Sequence, residues 1–409
     1  MGKRILFLSN GHGEDLNASL VLSALRQAAP DVEPAAMSIV GEGTAYQRLG
    51  VPIVGPTQKM PSGGFNYIVL GQLINPRNWL RNSNPVNLVR DLFSGLIGLT
   101  WGQIRAVRRY SQSCDLLFAT GDIVPIMFAY ITGRPFMVFL VSTSSYYEGR
   151  AAIPLLAMRA MRSHRCRQVF TRDAFTAQDL QQRGLTKAIF AGYPIMDVLT
   201  PKEKDLQLLP GQPMVALLPG SRLPEALNNL GLQLQLCERL TQRQPTQFRA
   251  ALVPSITQDQ LEHLAQEHGW QLTEPGHLVK GETHVFCRSD AFADILTQCD
   301  LAIGMAGTAV EQAVGLGKPV VQIIGQGPQF TYPFAEAQMR LLGPSVITVG
   351  KRSATSALLD EAADKIVAVL KDEVYRQSCL ENGRERVGVP GGAAAIAAYI
   401  ANDLHRAVQ

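Results

Sequence analysis

Pro219-Gly220-Ser221-Arg222-Leu223-Pro224-Glu225 follows the short apolar run Val215-Ala216-Leu217-Leu218. Gly220 lets the backbone approach a ligand closely, and Ser221 can donate a hydroxyl. Arg222 offers a planar fork suited to pairs of phosphate oxygens. Pro224 fits the first turn of a helix, whose free N–H groups also attract anions. The same residues would also make a plain turn beside a surface arginine. A second segment, Gly304-Met305-Ala306-Gly307-Thr308-Ala309-Val310-Glu311-Gln312-Ala313, runs from a buried strand into small residues that begin a helix. Small side chains leave room for a diphosphate on that helix N-terminus. Glu311, one turn further, can accept hydrogen bonds from two ribose hydroxyls. A lone glutamate there would merely complement the helix dipole. A diphosphate-sized gap before it, and Arg222 in the same half, favour a nucleotide.

Elements that could position these residues are legible as apolar runs alternating with helical patterns, which predicts an α/β chain of parallel strands joined by crossover helices. In the first half, strands are expected at 4–9, 35–40, 51–54, 115–119, 136–141, 168–171 and 188–191. In the second half they are expected at 215–218, 249–253, 283–286, 301–303, 320–324 and 346–349. Each half opens with a strand running into a Gly-bearing loop and then a helix, the first loop being Ser9-Asn10-Gly11-His12-Gly13-Glu14-Asp15. The pattern predicts two doubly wound, Rossmann-like domains facing a central cleft, with both loops at the carboxyl ends of their sheets. Residues 1–193 form the first domain, 194–213 a hinge and 214–390 the second. The hinge is read from the stretch 193–213, rich in Pro, Leu and charge and without a steady period. Residues 391–409 form a terminal helix that could cross back to brace the first domain.

A chain of 409 residues is long enough for two or more cores. Hydrophobic content of 46% with 18% charged residues argues against disorder. The net charge of +4 is too small to suggest nucleic acid as a partner. Between Met60 and Tyr110, however, six arginines face a single aspartate. Apolar and aromatic residues interleave with them, and 86–110 has helical spacing. Trp101, Arg105, Arg108 and Arg109 suit an anionic membrane surface, with Trp at the interface. A core face with a solvated arginine face is the alternative. Residues 158–167 are also basic. Six scattered cysteines without a C-x-x-C pair read as reduced, buried thiols in a cytoplasmic protein. The first apolar run is too short for a signal segment and reads as a strand. No run of about 20 apolar residues is present, so any membrane contact is expected to be peripheral.

Ala191-Gly-Tyr-Pro-x-x-Asp197, Leu217-Leu-Pro-Gly-Ser-Arg-x-x-Glu225 and Ala306-Gly-Thr-Ala-x-Glu311 occur in this order. They resemble consecutive motifs of the bacterial lipid-A-disaccharide synthase family, and a weaker likeness extends over almost the whole chain. The resemblance implies the GT-B fold and a peripheral membrane enzyme. Members of that family transfer an acylated glucosamine from UDP to an acylated glucosamine phosphate, forming a β-1,6 linkage. It further implies that Gly220, Ser221, Arg222, Gly307 and Thr308 hold the diphosphate and Glu311 the ribose. Three first-half segments depart from the pattern. The family's Gly-Glu-x-Ser-Gly-Asp loop is here Ser9-Asn-Gly-His-Gly-Glu-Asp15, closer to the His-containing loops of other lipid-directed GT-B enzymes. Its Asp-x-Pro-Asp-Phe segment is Gly121-Asp122-Ile-Val-Pro125, and its aromatic Ser-Pro segment is Ser142-Thr-Ser-Ser-Tyr-Tyr-Glu148. The expectation is therefore a related glycosyltransferase with its own acceptor.

Inverting transfer needs a base for the acceptor hydroxyl and stabilisation of the leaving UDP. Arg222 and the Gly307–Thr308 helix start can supply the second, and no D-x-D pair is present to hold a cation, so no metal or other cofactor is expected. Asp122, which matches a family aspartate, and His12, with the better unperturbed pKa, are the two candidate bases, Asp122 being preferred. Asp122 as a helix N-cap and His12 as a backbone-bonded loop residue are the plain alternatives. Gly11 and Gly13 are expected to shape the acceptor loop, and Glu14 and Asp15 to cap the helix after it. The expected partners are a UDP-sugar, a lipid acceptor and an anionic membrane on its inner face. The oligomeric state stays open, a homodimer included. Two other classes fit part of the pattern: a UDP-sugar 2-epimerase, which needs no lipid, and a non-catalytic binding protein that kept the fold.

Overall fold

The computed structural model describes residues 2–57, 96–325 and 330–406. The chain divides into two compact units, Met1–Asp197 with Pro390–Gln409, and Val198–Val389. Residues 202–209 belong to the second unit and are fastened within it. Asp294 Oδ1 accepts the N–H groups of Lys202 and Lys204 at 2.9 and 3.1 Å. The buried Arg249 guanidinium donates to the carbonyls of Leu206 and Gln207, both at 2.7 Å.

The first unit is built on a parallel sheet of β1 (Arg4–Ser9), β2 (Glu33–Ser38), β3 (Leu116–Thr120), β4 (Phe136–Leu140), β5 (Cys166–Thr171) and β6 (Ala188–Ile189). Their order is β2-β1-β3-β4-β5-β6. The strand expected at 51–54 is reduced to a bridge from Ile53 to Ala36. Pro52 offers no N–H to a ladder, which limits pairing there. Continuous apolar runs such as Leu116–Thr120 are buried on both faces, as a helix-covered parallel sheet requires. One face packs Leu6, Leu8, Leu117, Val138 and Val169 into a shared core. On the sheet a line of rings runs Phe7–Phe118–Phe170 and ends on Tyr399 of the helix Gly392–Arg406.

That helix packs against the helix His12–Ala28 and completes the first unit. Its Ile396, Ala397 and Ile400 are fully buried. Two details hold its start. Gly192 has φ +99°, and a Cβ there would stand 2.7 Å from Gly392 Cα, so two glycine backbones meet in van der Waals contact. Asp197 accepts the N–H of Gly391 through one oxygen and that of Ala393 at 2.7 Å through the other. A carboxylate on the first N–H groups of a helix also opposes its dipole favourably.

The second unit holds β7 (Met214–Leu218), β8 (Gln247–Ala251), β9 (Gln271–Glu274), β10 (His277–Lys280), β11 (Thr283–Arg288), β12 (Leu301–Gly304), β13 (Val320–Ile323) and β14 (Val346–Val349). The order is β14-β13-β12-β7-β8-β11-β10-β9. All pairs are parallel except the edge hairpin β9–β10 and its pairing to β11. Both sheets thus reverse direction beside their first strand, between β1 and β3 in one unit and between β7 and β12 in the other. In open α/β sheets ligands bind outside the carboxyl ends of the strands at such a reversal.

Candidate functional site

In the second unit, the two Gly-bearing segments emerge from the neighbouring strands β7 and β12, at that reversal. Gly304 is in register with Leu218, and Met305 N–H donates to the Leu218 carbonyl at 2.9 Å. Gly220 has φ +105°, and a Cβ on it would come within 3.3 Å of the Met305 carbonyl, so the two loops touch there. A side chain at 220 would be strained in backbone and in space. Ser221 and Arg222 stand exposed on the turn before the helix Glu225–Arg243, which starts one residue after Pro224. Asn229 anchors the turn by donating to the Pro219 carbonyl at 2.9 Å.

Across from them, Gly307 precedes the helix Thr308–Gly315, which has no side-chain cap. Gly304 is needed for that approach, since a Cβ would meet Val310 Cγ2 at 2.5 Å. The loop is braced from beneath: Gln338 donates to the Ala306 and Gly307 carbonyls at 3.1 and 3.2 Å, and Gln322 in turn donates to Gln338 at 2.6 Å. The structure thus brings Gly220, Ser221 and Arg222 to the same sheet end as Gly307, Thr308 and Glu311. Glu311 is half-buried in the first turn of its helix.

In the first unit the corresponding place is the end of β1 and β3. Asn10 follows β1, and its amide donates to Asp122 Oδ1 at 2.7 Å, joining the two strand ends. The same Asp122 oxygen accepts Val124 N–H at 3.0 Å, so Asp122 caps the helix Ile123–Tyr130. Burial pushes its carboxyl above the ordinary aspartate range, against the pull of these two donors. Gly121, at φ +130°, lies under the Glu14 side chain: a Cβ there would stand 3.3 Å from Glu14 Cγ and 3.6 Å from Asn10 Cβ. Gly11 and Gly13 leave open space, with nothing described within 4 Å of a Cβ on either. His12 is the first residue of the helix His12–Ala28, and its side chain lies outside the described residues.

Glu14 and Asp15 do not cap that helix, contrary to the sequence expectation, because both lie inside its first turn and reach sideways to the sheet. Ser142, after β4, donates to Glu14 Oε1 at 2.5 Å. Asp15 is buried and receives Ser9 Oγ at 2.5 Å and Ser38 Oγ at 2.7 Å, with the Tyr46 hydroxyl 2.6 Å from Ser9. Burial raises the Asp15 carboxyl to about 6, the two hydroxyls working against it. Burial also raises Glu14, with smaller contributions from the charges of Asp122 and Asp15. Sequence reasoning missed Glu14 because an acidic residue in a first helical turn is ordinary. The signal was its position one step after a Gly-x-Gly turn, where the helix must lie close to the sheet.

Trp101, Arg105, Arg108 and Arg109 lie on the exposed face of the helix Leu96–Tyr110, with Trp101 58% exposed and the Arg105 guanidinium 5.5 Å from its ring centroid. The opposite face buries Leu99, Gln103 and Val107. Residues 66–95 of the expected membrane-facing segment lie outside the described residues. No helix among the described residues is long and apolar enough to cross a membrane. The six cysteines are free thiols and all buried.

No family model matches the chain. It is 27% identical over 236 residues to a lipid-A-disaccharide synthase of Geobacter sulfurreducens, covering 54% of this chain and 58% of the relative. A lipid-A-disaccharide synthase of Azoarcus sp. is 30% identical over 175 residues, 40% and 39% of the two chains. The chain thus spans about half the length of the curated relatives it matches. Among solved structures, the calicheamicin glycosyltransferase CalG4 matches with a TM-score of 0.62 and 14% identity, covering 100% of both chains. The UDP-GlcNAc 2-epimerase of Neisseria meningitidis, bound to UDP-GlcNAc, matches with a TM-score of 0.52 and 11% identity over 98% of this chain and 100% of that one. In sequence the chain is therefore similar over about half its length to lipid-A-disaccharide synthases, and in fold it is a GT-B protein of the kind shared by glycosyltransferases and UDP-GlcNAc 2-epimerases.

Proposed function

We propose that the protein is a glycosyltransferase that moves a sugar from a UDP-sugar to a lipid-linked acceptor, by resemblance from UDP-diacylglucosamine, in lipid A disaccharide synthesis or a related glycolipid pathway. The observation that carries the reading is the meeting of the Gly220–Arg222 turn and the Gly307–Glu311 helix start at the reversal between β7 and β12. Backbone N–H groups, a serine and an arginine then lie at one sheet end, with a carboxylate one helical turn further on. A diphosphate needs such donors, and ribose hydroxyls need such an acceptor.

In the proposed reaction the acceptor hydroxyl attacks the anomeric carbon from the face opposite UDP, so the configuration inverts. The oxygen lone pair forms the new C–O bond. The bond from the anomeric carbon to the diphosphate oxygen breaks, and UDP leaves with its electron pair. Asp122 takes the hydroxyl proton and later returns it to water. Arg222 and the helix start at Gly307 and Thr308 stabilise the charge that develops on the leaving diphosphate. Glu311 holds the ribose, and His12, between Gly11 and Gly13, positions the acceptor. No step of this scheme calls on a cation. The helix face of Trp101, Arg105, Arg108 and Arg109 docks the protein on an anionic membrane surface, which brings it to its lipid.

A second reading, UDP-sugar 2-epimerase, is favoured by the whole-chain fold likeness to the Neisseria enzyme. Incubation with UDP-sugars, with and without a total lipid extract, separates the readings. UDP released only in the presence of lipid supports transfer. Interconversion of the sugar without lipid assigns the epimerase, and tight UDP binding without turnover assigns a binding protein.

A further inference from the structure

The end of the first sheet holds more than a single carboxylate. Glu14 crosses from the helix His12–Ala28 to lie over Gly121, and Gly121 directly precedes Asp122. Ser142 fixes one Glu14 oxygen at 2.5 Å, and Asn10 fixes one Asp122 oxygen at 2.7 Å. Glu14 is thereby held over the residue that precedes Asp122, by groups drawn from β1, β3, β4 and the first helix. The strand ends around them also hold unmet hydrogen-bonding capacity. Asn10 is only 9% exposed, and while its amide nitrogen serves Asp122, its Oδ1 has no partner among the described residues. Thr120, fully buried at the end of β3, leaves its Oγ1 likewise without one. Buried polar atoms at a sheet end are costly unless a ligand or water completes them.

We infer that Glu14 is a positioning residue for the proton acceptor of the proposed reaction: fixed over Gly121 against Asp122, its negative charge makes Asp122 a stronger base. The inference rests on the transfer reading above for its chemistry but not for its geometry. Repulsion between two carboxylates is mutual, so each makes the other hold a proton more tightly. Burial already raises the Asp122 carboxyl, and two donors oppose it. Its helix-cap bond and the Asn10 amide both favour the charged form and so weaken it as a base. The groups facing Glu14 are Asp122 from the end of β3, Asp15 on its own helix and Tyr46 from the helix Thr44–Gln47. The helix Ile123–Tyr130 carries no charge. The terminal helix Gly392–Arg406 carries its charges at Asp403, His405 and Arg406, in its last turns.

The test is Glu14→Gln, which keeps the side-chain shape and an oxygen for the Ser142 hydroxyl while removing the charge. Two readouts are taken on the full-length protein. The first is the pH dependence of UDP release with UDP-sugar and lipid extract. The second is the titration of the Asp122 carboxyl by carbon NMR in aspartate-labelled protein, assigned with Asp122→Asn. Both the acid limb of kcat/KM and the Asp122 midpoint should move down by about one pH unit, with UDP affinity unchanged. A merely structural Glu14 would lower melting temperature and leave both midpoints where they are, and that result overturns the inference. If the Asp122 midpoint moves while no lipid supports UDP release from the native protein, the carboxylate pair stands and the transfer reading falls. If UDP is released and neither midpoint moves, transfer stands and the role of Glu14 falls.

Discussion

Asp15 offers a prediction whose size follows from its surroundings. Its carboxyl is enclosed beside β1 and β2, and burial raises it from 3.8 to about 6 in spite of the Ser9 and Ser38 hydroxyls. A raised acid binds its proton more tightly in the folded chain than in the unfolded one. Its contribution to stability is therefore full below about pH 4 and is lost as pH rises through about 6. Two pH units at about 1.4 kcal/mol each give about 3 kcal/mol over that window. Asp15→Asn removes the titration. The amide can accept one serine hydroxyl but must donate to the other, a rearrangement costing about 1 kcal/mol. At about pH 7.5 the variant should then be more stable than the native chain by about 2 kcal/mol, and at about pH 4 less stable by about 1 kcal/mol. Urea denaturation at several pH values, followed on the transition of the first unit, measures both curves. Two parallel curves, separated by a constant amount across this range, would refute the account.

Other outcomes concern the proposed donor site and membrane face. Arg222→Ala should cost about 2–4 kcal/mol in kcat/KM, the loss for one donor to a developing charge; near-native turnover would remove Arg222 from the diphosphate. Glu311→Ala should weaken UDP binding about tenfold by calorimetry, since two ribose contacts present before reaction are lost. Replacing Arg105, Arg108 and Arg109 with Glu should abolish salt-sensitive sedimentation with anionic liposomes while UDP affinity holds. Equal binding of the native protein to neutral vesicles would point to apolar contact instead.

Much of the fold was legible because buried parallel strands are written as uninterrupted apolar runs. Arg4–Ser9 and Val346–Val349 fall where the residues place them, and most others shift by one or two positions. The hairpin β9–β10 was not legible. Gln271–Glu274 is a polar, mostly exposed edge strand, and its pairing is set by the turn at Pro275-Gly276 rather than by an apolar face. The two Gly-bearing segments of the second half could be placed at strand ends because each follows a short apolar run and leads into a helical pattern. The contacts of Glu14 and Asp15 could not. Whether Glu14 and Asp15 face solvent or the sheet depends on how closely the first helix approaches β1 and β3, which is set by packing. Asp197 was legible only as part of a motif, since its partners Gly391 and Ala393 lie almost two hundred residues away.

That clamp has a consequence for the order in which the chain becomes native during synthesis. The second unit is one continuous stretch, Val198–Val389, and every residue it needs leaves the ribosome before the helix Gly392–Arg406 does. The first unit begins earlier and finishes later. Until that helix emerges, the face of His12–Ala28 it covers stays bare, Tyr399 is missing from the line of rings, and Asp197 has no helix start to hold. A domain that opens a chain generally folds first. Here the unit begun first waits for the helix Gly392–Arg406, so a nascent chain carries an unfinished, apolar first unit through the whole translation of the second.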